Sequence, residues 1–152
     1  MGAEDKRYEL HKSLGFQATL SARVFERRLE NGLRTLGLTR LTWCVLLAAG
    51  QEGLSGPSQI AGFIGIDRTA MSRALRQLEQ AGLIARTASA HDGRQRDVAL
   101  TETGADLMVR AIAVADKNAT HFSGKLNPDE QEVLLDLLVK MRDGETTHLE
   151  TF

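Results

Sequence analysis

Within "DRTAMSRALRQLEQ", the residues Arg68, Thr69, Ser72, Arg73 and Arg76 recur at intervals of one and three. Wound as a helix, they join Gln77 on one side, while Met71, Ala74, Leu75 and Leu78 form the other. Guanidinium groups beside short hydroxyls are the groups that reach phosphate oxygens and base edges when a helix enters the major groove of duplex DNA. A polar outer face is ordinary on an amphipathic helix. A face this rich in arginine and poor in acid points to an anionic partner.

A second cluster follows in "LIARTASAHDGRQRDVALTETG", Leu83 to Gly104. Leu83–Ser89 and Arg96–Thr101 read as two short strands, and Val98 and Leu100 share a face by the period of two. Between them lies the polar tip "HDGRQR", where Gly93 permits a tight turn and Arg94 and Arg96 add positive charge. The expectation is a hairpin that touches the same partner as the helix before it.

Both clusters need elements to hold them. Ala61, Gly65, Ile66 and Met71 stand at the offsets of a helix-turn-helix: a small residue at the crossing, glycine in the turn, and apolar residues that lock the second helix to the first. Ser55 and Asp67 read as the caps of these two helices, and Gly82 closes the second. Upstream, Leu14, Ala18, Phe25, Leu29, Leu33 and Leu36 form the stripe of an amphipathic helix over about Tyr8 to Leu36, which Gly37 stops. Thr39 can cap the next helix, "RLTWCVLLAAG", which is apolar nearly all round, ends at Gly50 and should be buried.

Downstream, Thr103 to Asp106 fits a capping box before a helix rich in alanine and aliphatic residues. Asn127, Pro128 and Glu130 start a last helix, whose apolar face is Val133, Leu134, Leu137, Leu138 and Met141. The fold class expected is mainly α with one small β-hairpin.

Taken together, "LTRLTWCVL", "IAGFIGIDRTAMSRALRQLEQAGLIAR" and "HDGRQRDVALTETG" resemble the MarR family of transcriptional regulators over nearly the full chain. The resemblance implies a winged helix-turn-helix over residues 37–101. It would lie between dimer-forming helices at residues 1–36 and 102–152, in a homodimer on a palindromic DNA operator. Such regulators usually repress and are usually released by a small ligand or an oxidant. The resemblance further implies that Arg68, Thr69, Ser72 and Arg73 face the major groove. Arg94 would be the wing-tip arginine entering a narrow minor groove, and Asp92 would hold the wing loop in shape by a charge-assisted hydrogen bond. Arg96 and Arg86 fit phosphate or structural roles. Gly62 departs from the family pattern, and glycine inside a helix costs about 1 kcal/mol against alanine.

The remaining features bound the function. The chain of 152 residues carries a net charge of −1, but the charge is uneven. Ser55 to Arg96 holds six arginines against three acids, whereas Asn127 to Phe152 holds two basic residues against seven acids. The middle is therefore where anion binding is expected. No apolar run reaches membrane-span length, and "MGAEDKRYELHK" lacks a signal-peptide core, so a cytoplasmic, nucleoid-associated protein is expected.

Phosphate loop, nucleophile elbow, zinc motif and paired catalytic carboxylates are all missing, so neither an enzyme nor a cofactor is expected. His11, His91, His121 and His148 lack metal-ligand spacing. The lone Cys44 lies in an apolar helix, where a structural role outweighs redox sensing. A protein-interaction module without DNA binding is the other alternative. A small organic effector is expected from the resemblance alone, with no pocket assigned; Arg23, Arg27 and Arg28 could meet an anionic aromatic compound.

Overall fold

The computed structural model describes residues 7–89 and 96–146. His91, Asp92, Gly93 and Arg94 at the hairpin tip lie outside the described residues, as does His148. A 3-10 turn at Leu10–Lys12 precedes α1 (Leu14–Arg34), α2 (Arg40–Gly50), α3 (Pro57–Ile64) and α4 (Arg68–Gln80). The antiparallel strands β1 (Ile84–Ala88) and β2 (Arg96–Leu100) follow, then α5 (Glu102–Ser123) and α6 (Pro128–Met141). This is the mainly helical, single-hairpin architecture expected, a winged helix between terminal helices.

Local chemistry sets most boundaries. Helix α1 begins at Leu14, later than the periodicity suggests, because Ser13 is extended and its hydroxyl accepts from the Phe16 amide. Thr39 caps α2 in a reciprocal pair with Thr42: the Thr42 amide donates to Thr39 Oγ1, and the Thr39 amide donates to Thr42 Oγ1. At the end of α3, Gly65 adopts φ +83°, and the amides of Gly65 and Ile66 both donate to Ala61 O. That left-handed cap makes the tight turn between the two helices of the motif. Asp67 then caps α4 by accepting from the Ala70 amide at 2.7 Å.

Three further starts and stops differ from the sequence expectation. Gly56, not Ser55, is the cap residue of α3, with Pro57 at its first position. The Ser55 carbonyl is engaged elsewhere, accepting from the Val98 amide at 2.8 Å and so tying β2 to the loop before α3. Thr101, not Thr103, caps α5: its hydroxyl accepts from the Gly104 amide at 3.0 Å and donates to Gly82 O at 2.7 Å. Gly50 does not stop α2 by its backbone freedom. It is a close-packing residue, since a Cβ there would come within 2.4 Å of Leu100 and 2.6 Å of the Met108 sulfur.

One core spans the described residues. Val45, Leu46 and Ala48 of α2 lie at its centre, with Leu33 from α1, Ile60 and Ala61 from α3, Met71, Ala74, Leu75 and Leu78 from α4, Ile84 and Val98 from the hairpin, and Ala111 from α5. The nearly all-apolar character of α2 is thus explained by contact on several sides. Helix α6 differs, since none of its residues is buried and the whole face Val133, Leu134, Leu137, Leu138 and Met141 is exposed. The first half of the α1 stripe is likewise uncovered at Leu14 and Phe25.

Gly62 sits inside α3, exposed, with nothing within 4 Å of where a Cβ would stand. Gly62→Ala is therefore expected to stabilise the protein by about 0.5–1 kcal/mol, read as a higher urea midpoint with an unchanged slope.

Candidate nucleic-acid interface

Helix α4 presents the face its sequence implies. Met71, Ala74, Leu75 and Leu78 are buried, and Arg68, Thr69, Ser72, Arg73, Arg76 and Gln77 are exposed. The Asp67 cap and the Gly65 turn start the helix so that Arg68 and Thr69 fall in its first turn. Among the described residues, none of Arg68, Arg73 and Arg76 is held in an ion pair. Among the described residues these guanidinium groups pair with no carboxylate, which leaves them open to an external anion.

The hairpin extends this face. Its register sets Ile84 opposite Leu100, Arg86 opposite Val98, and Ala88 opposite Arg96. Arg86 and Arg96 therefore share the face of the buried Val98, which is turned toward the helix-turn-helix. Arg68, Ser72, Arg86 and Arg96 meet the α3 start, at Pro57 and Ser58, around a cleft of about 490 Å³.

Among the described residues, the cleft carries three guanidinium groups, two hydroxyls and no carboxylate. The α3 amino end adds first-turn amides that no side chain caps. Arg86 Nε is buried without a hydrogen-bond partner among the described residues. An unpaired donor of that kind is costly unless an acceptor arrives. Phosphate oxygens match this donor set in charge and geometry.

The structure thus gathers two groups of sequence-named residues. Arg68, Ser72 and Arg96 line the cleft, while Thr69, Arg73 and Arg76 lie along the rest of the α4 outer face. Ser58 is missing from the sequence expectation, although its place just after Gly56-Pro57 marks a helix amino end. Arg94 and Asp92 belong to the tip outside the described residues.

Cys44 lies within α2 and is partly covered. Burial pushes its thiol up to about 11 from 9.0, with the nearby Arg40 charge pulling the other way. The thiol should therefore stay protonated near neutral pH and react with a disulfide reagent at pH 8 at least about tenfold more slowly in the folded than in the unfolded chain. Because the folded value is raised, this contribution to stability is complete below pH 9.0 and is lost as pH rises toward 11. Thiolate absorbance against pH checks both statements.

Residues 36–95, which hold α2 to β1, match the model of the MarR family. The fold as a whole recurs in solved structures. A probable transcriptional regulator from Pseudomonas aeruginosa is 26% identical, with a TM-score of 0.80, and the match covers 88% of this chain and 99% of that one. BpsR from Bordetella bronchiseptica, whose DNA binding is described as regulated by 6-hydroxynicotinic acid, is 22% identical with a TM-score of 0.83, covering 91% and 99%. A mutant of MarR from E. coli, complexed with operator DNA, is 24% identical with a TM-score of 0.78, covering 84% and 92%. Among the described residues, no helix is long and apolar enough to cross a membrane.

Proposed function

We propose that this chain, whose residues 36–95 match the model of the MarR family, is a cytoplasmic, sequence-specific DNA-binding regulator. It acts as a homodimeric repressor on a palindromic operator and is released by a small organic effector. The arginine face of α4, continued by the three-arginine cleft, is the observation that carries this reading.

Arg68, Thr69, Ser72, Arg73 and Arg76 enter the major groove, with Thr69 and Arg73 best placed on the open part of the face. Ser58, Arg86 and Arg96 grip phosphate oxygens beside it and fix the register of the helix on the duplex. Arg94 reaches into the minor groove and Asp92 shapes the loop that carries it. The bare apolar faces of α6 and of the first half of α1 are the surface on which two copies meet. A two-fold dimer then sets the two recognition helices about one turn of DNA apart. An effector that prefers another separation draws the population away from the DNA-bound form.

Selection of bound duplexes from a random pool tests the reading, and an inverted repeat with half-sites about ten base pairs apart is the expected product. On that duplex, Arg94→Ala is expected to weaken binding more when the flanks are A·T-rich than when they are G·C-rich. Recovery of no enriched sequence at low salt would overturn the assignment. It would favour a winged helix that binds protein instead.

A further inference from the structure

Guanidinium groups gathered without an acid repel one another, and the fold carries that cost whenever no anion lies among them. Arg68, Arg86 and Arg96 line one cleft beside α4, and among the described residues none of them is held in an ion pair. The acids next to them in sequence are engaged or turned away. Asp67 caps α4 by accepting from the Ala70 amide, and Asp97 alternates to the hairpin face opposite Arg96 and Val98. Arg86 Nε is buried and bonds to nothing among the described residues.

Two hydroxyls line the same cleft, those of Ser58 and Ser72. Ser72 lies inside α4, with helical backbone on both sides. Ser58 is exposed, stands second in α3, and follows a stretch without regular secondary structure, Gly53 to Gly56. An enzyme that takes its substrate as an extended segment therefore reaches Ser58 and not Ser72. The amides of Ser58 and Gln59 lie in the first turn of α3, where Gly56 has no side chain to cap them.

We propose that Ser58 is a phosphorylation site and that its phosphate occupies the arginine cleft in place of a DNA phosphate. In the reaction, Ser58 Oγ attacks the γ-phosphorus of a nucleoside triphosphate held by a protein kinase. The Oγ–P bond forms as the bond to the β,γ-bridging oxygen breaks. The nucleoside diphosphate leaves with that electron pair, and the hydroxyl proton passes to the kinase's base. The product bears a charge of about −1.5 to −2 and three acceptor oxygens, at a helix amino end and opposite three arginines. In that setting phosphoserine makes new charge-assisted hydrogen bonds.

Two consequences of opposite sign follow. The free protein gains stability, because the clustered arginines acquire a counter-charge. The duplex loses its grip, because the groups that would hold its phosphate are already taken and a dianion stands beside them. This loss of DNA binding rests on the DNA-binding reading above; the pairing of phosphate with arginine does not.

Protein carrying phosphoserine at residue 58, made by genetic-code expansion, tests the pairing without DNA. Its thermal midpoint should rise by about 2 °C or more over the unmodified protein. By phosphorus NMR, the second ionisation of its phosphate should fall clearly below the ordinary value of about 6. Both effects should shrink in Arg86→Gln, each form being compared with its own unphosphorylated partner. An unmoved or lowered midpoint, or an ionisation at the ordinary value, overturns the pairing.

Duplex titrations test the switch. Phosphoserine should weaken the selected duplex at least about a hundredfold against Ser58→Gln, which removes the hydroxyl without adding charge. Ser58→Glu, with a single charge, should fall between the two. Equal affinity of the phosphorylated protein and Ser58→Gln overturns the switch. A phosphate that pairs in a protein whose parent binds no duplex overturns the function proposed above and leaves the pairing standing. Mass spectrometry of the protein from its native cells should find one phosphate on the tryptic peptide Leu41 to Arg68, placed on Ser58 by fragmentation. That peptide found only unmodified, in growing and resting cells alike, overturns the modification.

Discussion

Replacing Arg68 and Arg73 together by alanine is expected to lower affinity for the selected duplex on the order of a thousandfold, since a guanidinium contact to a base edge is worth about 1–3 kcal/mol and a hydrogen bond to a charged group such as phosphate about 1.5–3 kcal/mol. Both side chains are exposed and held in no ion pair among the described residues, so folding should be unaffected. Anisotropy titrations over a salt series separate the two kinds of contact. Loss of a phosphate contact lowers selected and scrambled duplexes alike and flattens the salt dependence. Loss of base readout lowers the selected duplex far more. Arg68 lines the phosphate-shaped cleft and Arg73 stands outside it, so Arg68→Ala should resemble the first pattern and Arg73→Ala the second. An affinity within about threefold of the parent for the double variant would remove α4 from the interface.

Gly104→Ala is expected to destabilise the fold by about 3 kcal/mol or more. A Cβ at this position would stand 1.9 Å from the Leu83 carbonyl oxygen and 2.9 Å from its carbon, both backbone atoms that cannot rotate aside. Relief requires the first turn of α5 to lift from the hairpin base, and that movement strains the Thr101–Gly82 bond and the Leu83 carbonyl's bond from the Thr101 amide. Urea unfolding measures the cost, with Gly62→Ala as the contrasting glycine at which a methyl group meets open space. A midpoint for Gly104→Ala equal to that of the parent would mean that the junction yields freely, and the coupling of α5 to the hairpin would fail with it.

The helix-turn-helix is legible in the sequence because its constraints are local. Ala61, Gly65, Ile66 and Met71 act within one tight turn, and Gly65 does adopt the positive φ that its offset demands. The division of α4 into buried and exposed faces is legible for the same reason, since a 3.6-residue period alone orders it. The reciprocal cap of Asn127 and Glu130 on α6 likewise involves only neighbours, and both bonds form, at 2.9 and 2.8 Å.

Choices between near-equal local options escape such reading. Thr101 and Thr103 are both able to cap a helix, and a bond to Gly82, 19 residues away, selects Thr101. Ser55 is a good cap residue by type, but there the backbone carries a bond to Val98, and the helix starts one residue later.

By itself, the sequence determines the order of elements, the helix-turn-helix and the arginine face of α4, because periodicity, capping and turn chemistry act over a few residues. Only the tertiary structure decides that Arg86 and Arg96 join Arg68, Ser72 and Ser58 around one cleft, because strand register and the docking of the hairpin set those distances. It alone decides that Lys117, His121 and Lys125 of α5 stand beside Arg27 and Arg28 of α1, because the close crossing at Gly32 brings the two helices together. Side chains far apart in the chain acquire a shared chemistry only when packing places them side by side.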